Sequence, residues 1–145
     1  MMNSIQMINL AIALLGLCGF LLAYYIRAKK KSKKKLVCPK NPKIDCDTVI
    51  HSDYSRILGI PIEILGMLYY VLTGFAHSAE IAAYPTLLYP PALFFGVSLC
   101  AVLFSVYLIA VQAFAIRHWC LWCLGSAMIC TAIAVLSYLA LTLAL

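Results

Sequence analysis

Charge is what this sequence has least of. Only 11% of its 145 residues are Asp, Glu, Lys or Arg, just five of them acidic, while 65% are hydrophobic. A soluble domain carries about a quarter charged and about half apolar residues, so a water-solvated globule is excluded. A glycine-rich phosphate loop and internal repeats are also missing, and the only low-complexity stretch is a run of lysines. Nucleotide-dependent and repeat architectures therefore drop out. The connection over 77–91 has neither Lys nor Arg. The N-terminus has no basic stretch ahead of its apolar run and no small-residue cleavage site after it, so a membrane span rather than a secretory signal is expected there.

The apolar residues fall into four runs, 5–26, 57–76, 92–116 and 119–145. Each is about 20 residues or longer, enough at 1.5 Å per residue to cross a hydrocarbon core of about 30 Å. The expected fold is an all-α membrane protein. It is one domain over 1–145, a four-transmembrane-helix bundle with a redox loop over 27–56. Four spans put both termini on one side of the membrane and place the loop 27–56 together with the turn near Arg117 on the other.

A net charge of +6 raises the question of nucleic acid. The basic residues, however, form a juxtamembrane tract over 29–35, which reports topology or contact with anionic lipid. No nucleic-acid partner is expected; the lipid bilayer is. Beyond the tract, Pro39, Asn41 and Pro42 favour turns. Asp45 or Asp47 is placed to cap a short helix running to about Arg56, with Val49, Ile50 and Tyr54 on a face suited to the membrane surface. Pro61 opens the second span, and Gly66 and Gly74 allow close helix approach.

Seven cysteines are many for so short a chain. Cys18, Cys100 and Cys130 sit inside apolar runs and are expected to be small buried hydrophobes. Cys38 and Cys46 lie in the loop, and Cys120-Leu-Trp-Cys123 opens the last run. A C-x-x-C pair sets two sulfurs about one helical turn apart. At a helix N-terminus the free N–H groups favour the thiolate, and Arg117 and His118 add positive charge. Cys120 is expected to be the more exposed sulfur, with Cys123 one turn deeper. Two dithiols on one face suggest relay by thiol–disulfide exchange. The residues alone leave other readings open. They include a loop staple at Cys38 and Cys46, a zinc-stabilised scaffold using the four cysteines with or without His51 or His118, and a small channel subunit, against which the spans hold few polar residues besides Glu63 and Gln112.

The order Cys38, Cys46-Asp-x-Val-x-x-Ser52, Leu58-Gly-Ile-Pro61, Gly66-x-x-Tyr69-Tyr70 and then Cys120-x-x-Cys123 resembles the vitamin K epoxide reductase family, in its prokaryotic disulfide-forming branch. The resemblance covers roughly Cys38 to Cys130. It implies a four-helix bundle around a quinone of the ubiquinone or menaquinone type, with the short loop helix as a cap. It implies that Cys38 exchanges with a thioredoxin-like partner and Cys46 passes electrons on through a transient Cys46–Cys120 disulfide. Cys123 then reduces the quinone, with Ser52 near its head group. The chain departs from the vertebrate members, which carry a Tyr where it has Ala127 and an Asn where it places Ile62 or Glu63. Quinone reduction is therefore expected rather than epoxide reduction. No thioredoxin-like domain follows the last run, so a separate partner protein is expected. Glu63, near the start of a membrane helix, is a cofactor-site candidate and a proton-relay candidate. Trp119 and Trp122 read as interfacial anchors, and Tyr69, Tyr70 and Tyr84 carry no assigned role.

All Lys and Arg lie within 27–56 or at Arg117. Short basic connections stay in the cytoplasm, so the cysteine face is expected inside the cell and both termini outside. Disulfide chemistry in the cytosol fits a hyperthermophilic archaeal source.

Overall fold

The computed structural model describes residues 3–39, 41–82 and 90–145; Lys40, Tyr84 and the rest of 83–89 in the connection expected over 77–91 lie outside them. Four long helices account for most of the described chain. α1 is Ser4–Lys31, α3 is Ile62–Ile81, α4 is Pro91–Ala110 and α5 is Leu121–Ala144, with a five-residue α2, Cys46–Ile50, in the first loop. α1 packs against α3 and α5, and α4 packs against α5, so α1 and α5 lie at the centre of the bundle.

Three stretches, Ser4–Lys31, Pro91–Ile116 and Leu121–Ala144, are long and apolar enough to cross a membrane. α3 has 20 residues but is not among them, because Glu63, Tyr69, Tyr70, Thr73, His77 and Glu80 dilute its apolar content. Those polar groups face inward. Glu63, Tyr70, Thr73 and His77 are buried, whereas Leu68, Val71, Leu72 and Phe75 are exposed. An outer surface of exposed leucines and valines over a polar interior suits lipid as the solvent.

The helix boundaries have local causes. α1 runs beyond the expected end at 26 because Lys29, Lys30 and Lys31 occupy its last turn, where cations complement the helix dipole. At its start the Asn3 N–H donates to Gln6 Oε1 at 3.0 Å. α2 stops at Ile50 rather than reaching Arg56. Ser52 turns to extended backbone, and Asp53–Ser55 forms a single 3₁₀ turn. Arg56–Ile57 then pairs antiparallel with Ile60–Pro61 across a turn in which Leu58 and Gly59 both have positive φ; that geometry matches the twist of paired strands. α3 therefore begins at Ile62.

α1 and α3 meet closely at Gly16 and Gly19. A Cβ on Gly16 would lie 3.1 Å from the Gly74 Cα and the Tyr70 carbonyl oxygen, and one on Gly19 would enter the Tyr70 ring. Gly66 and Gly74, singled out from sequence, have ordinary contacts; the tight side of the interface is on α1. Cys18 and Cys100 are exposed and only Cys130 is buried among the three span cysteines. The expectation of burial is thus corrected for two of them. An apolar run does not reveal which of its faces meets lipid.

Candidate active site

The loop is stitched to the C-x-x-C turn by its backbone. Asn41 closes a tight turn, its Oδ1 accepting from the Lys43 N–H at 3.1 Å and its carbonyl from the Ile44 N–H at 3.0 Å. This extends Ile44 alongside Trp119. The Asp45 N–H donates to the Trp119 carbonyl at 3.0 Å, and the Trp119 N–H donates to the Lys43 carbonyl at 2.9 Å. Asp45 then caps α2, accepting from the Thr48 N–H at 3.1 Å and the Thr48 hydroxyl at 2.7 Å. These bonds hold its carboxyl below the usual carboxylate range. The Trp122 indole N–H donates to the Val37 carbonyl at 2.9 Å, and its ring packs on Tyr25 at 4.7 Å between centroids.

Cys38 and Cys46 are joined in a disulfide with Cα atoms 6.5 Å apart, while Cys120 and Cys123 are free thiols. Cys46, Cys120, Leu36, Val49, Ile50 and Ile26 form one apolar cluster, with Cys38 and Cys123 packed against it. Cys120 is 0% exposed and Cys123 half-buried, the reverse of the expectation that Cys120 is the more exposed. The loop segment from Ile44 to Ile50 covers Cys120, a tertiary contact that helix position alone does not reveal.

Cys120 is the N-cap of α5, and its sulfur accepts the Cys123 N–H at 3.4 Å. The thiol of Cys123, reinforced by the N–H groups at the helix start, holds the Cys120 thiol below its ordinary range against the opposing effect of burial. The turn leading to Cys120 is unusual. Val111–Ile116 winds as a π-helix and Arg117 takes the left-handed conformation at φ 60°. This winding brings Gln112 back toward Cys120, whose N–H donates to Gln112 Oε1 at 3.0 Å. π-segments concentrate at functional sites, and Gln112 is buried.

On the inner side of Cys123 lies a cavity of about 110 Å³, far larger than the roughly 10–15 Å³ one water needs. Ser52, Glu63, Gln112 and Ala127 line it with Cys123, and most of the remaining wall is aliphatic. The Ser52 hydroxyl donates to the Val49 carbonyl at 2.7 Å, so it both ties its own backbone and borders the cavity. Glu63 Oε1 pairs with Lys30 Nζ at 3.0 Å, and Lys30 also donates to Ser55 Oγ at 3.2 Å. Both charged side chains are almost wholly buried, and Glu63 Oε2 has no hydrogen-bond partner among the described residues.

The model of the vitamin K epoxide reductase family matches residues 8–138, a span that contains both dithiols and the cavity. The chain belongs to the vitamin K epoxide reductase family. No curated protein matches it individually. As a family member, the chain is an oxidoreductase of the quinone and thiol type, and its apolar helices and loop disulfide agree with a membrane-bound redox protein.

Within this family frame, the structure brings together most of the residues singled out from sequence. Cys38, Cys46 and Cys120 cluster under the loop, and Cys123, Ser52 and Glu63 border one cavity. His118 does not border it, and its Nδ1 is buried without a partner among the described residues. The disulfide removes Cys38 and Cys46 from zinc ligation in this state, and among the described residues no three of His, Cys, Asp and Glu converge on one point. Sequence reasoning missed Lys30, read only as part of the juxtamembrane basic tract, and Ser55. It noted Gln112 only as a rare polar residue in a span, which was the one available signal.

Proposed function

We propose that the protein is a single-domain membrane enzyme that oxidises a protein dithiol and reduces a quinone, with α3 as a fourth membrane span and α2 as a lid on the cysteine cluster. One observation carries this reading. Cys123 borders a mostly apolar cavity that Ser52, Glu63 and Gln112 also line, while its neighbour Cys120 packs in one cluster with Cys46 and Cys38. A sulfur at an apolar cavity and a sulfur packed against a loop dithiol are the two terminals an electron relay requires.

A thiolate of a thioredoxin-like partner attacks Cys38, releasing the Cys46 thiolate. Once the mixed disulfide resolves, the partner leaves oxidised. The Cys46 thiolate attacks Cys120 of an oxidised Cys120–Cys123 pair, and Cys38 closes on Cys46 to restore the loop disulfide. Two electrons and two protons then reside on Cys120 and Cys123; the Cys38–Cys46 disulfide beside the free Cys120 and Cys123 thiols is consistent with this order. A ubiquinone- or menaquinone-type ring supplies the two-electron acceptor. Cys123 delivers the electron pair, and Cys120 closes on it to reform the disulfide. The lowered Cys120 pKa supports this last step, because the attacking form is the thiolate. Ala127 lines the cavity where vertebrate relatives place a Tyr, and this departure favours quinone reduction over epoxide reduction.

The basic loop argues that this face is cytoplasmic, with both termini outside, and cytosolic disulfide formation points to a hyperthermophilic archaeal host. Cys123→Ala is expected to abolish quinone reduction. Cys38→Ala is expected to block oxidation of the protein partner while sparing small dithiols such as dithiothreitol. If both variants keep full turnover in purified protein supplied with quinone and dithiol, the relay is wrong.

A further inference from the structure

The stretch 27–35, at the end of α1 and just beyond it, holds seven of the chain's basic residues, and only Lys30 forms an ion pair among the described residues. Its ammonium bridges Ser55 Oγ at 3.2 Å and Glu63 Oε1 at 3.0 Å. Ser55 in turn donates to the Ser52 carbonyl at 2.7 Å. The other Glu63 oxygen is buried and has no hydrogen-bond partner among the described residues, and Glu63 borders the cavity that Cys123 borders. A buried carboxylate oxygen without a hydrogen bond is costly. In native proteins such an unpaired buried group marks a functional position, where a ligand or a proton meets it.

We propose that Lys30 and Glu63 form the proton-transfer pair of the quinone site, with Glu63 Oε2 as the atom that carries the proton. This rests on the dithiol:quinone reading above and adds Lys30 to the site. Quinone reduction takes up two protons, and closing the Cys120–Cys123 disulfide releases two. Glu63 Oε2 accepts the proton leaving Cys123 and hands it to a ring oxygen in the cavity. No outside donor is needed, because the second thiol proton balances the second ring oxygen. Lys30 is a positioning residue. Its ammonium fixes the carboxyl through Oε1, directs Oε2 to the cavity and offsets the charge of Glu63 between proton transfers. A neutral ring with carbonyl oxygens suits this arrangement; an anionic ligand would meet a carboxylate.

Glu63→Gln keeps the size and the hydrogen bond but cannot carry a proton. It is expected to lower kcat at least about a hundredfold, the low end for loss of a general acid–base group, with KM little changed. In protein free of quinone, two further measurements are made on the same variant: affinity for a non-reducible quinone analogue, and passage of electrons from dithiothreitol to Cys120 and Cys123, read by thiol mass-tagging. Both are expected to match the wild type. Lys30→Arg keeps most of kcat and Lys30→Met loses it. The double variant Lys30→Met with Glu63→Leu replaces the buried pair with apolar groups, which is often neutral or stabilising. It is expected to melt like the wild type and still turn over slowly. Wild-type kcat in Glu63→Gln, or restored kcat in the double variant, overturns the proposal. If the wild type itself reduces no quinone, the enzyme reading fails first. A loss of analogue affinity in Glu63→Gln would make Glu63 a binding residue and also overturn the proton-carrying role.

Discussion

Gln112 and Cys120 show how one side chain sets the chemistry of the next. Gln112 Oε1 satisfies a buried N–H at the head of α5, and that N–H belongs to the cysteine that closes the disulfide. Gln112→Ala is expected to cost about 1–3 kcal/mol, read as a lower midpoint in detergent unfolding, and to change the alkylation rate of Cys120. A second residue-level outcome follows from the lowered Cys120 pKa, whose largest cause is the Cys123 thiol. A depressed pKa means the thiolate is present at lower pH than in a free cysteine. In Cys123→Ala that cause is gone, so the pH midpoint for alkylating Cys120 moves upward; an unmoved midpoint would remove Cys123 from the explanation. The cysteines themselves were legible in the sequence because spacing and position relative to the apolar runs reveal their chemistry. Lys30 was not, because among seven neighbouring basic residues only the third dimension selects the one that meets Glu63.

At the scale of elements, α1 carries more of the architecture than its plain apolar sequence suggests. Gly16 and Gly19 let the Tyr70 ring and the α3 backbone approach, and the Tyr70 hydroxyl, with the Ser126 carbonyl at 3.0 Å and Cys130 Sγ at 3.2 Å, ties α3 to α5. Gly19→Leu is expected to destabilise the bundle by about 1–3 kcal/mol through overpacking, measured by unfolding in mixed detergent, whereas Gly96→Leu, with open space around its Cβ, is expected to have a small effect. Run lengths pointed to where the long helices lie, but α1 ends at Lys31 rather than 26 and α3 starts at Ile62 rather than 57. They did not give the π-helical end of α4, which depends on where Gln112 and the strained Arg117 must sit. Nor did they give the short α2, which Ser52 ends by turning its backbone away. The covering of Cys120 by the loop was equally invisible, since it depends on the Ile44–Trp119 pairing of segments far apart in sequence.

At the scale of the whole molecule, the bundle separates two environments. One end gathers the disulfide, the C-x-x-C pair and the basic loop; among the described residues, the other ends of the helices hold no Lys or Arg. The proposed orientation predicts that a cysteine at position 35, in a variant otherwise lacking exposed thiols, is protected from an impermeant maleimide in intact cells and labelled after lysis. Labelling before lysis would reverse the orientation and place the dithiols outside. The central claim is that this molecule joins a dithiol to a quinone through Cys123. Its most direct test is anaerobic: purified protein, dithiothreitol and a ubiquinone or menaquinone analogue, followed by the absorbance of the quinone. The account predicts catalytic loss of quinone absorbance with the wild type and none above background with Cys123→Ala. Equal rates for the two proteins would contradict it.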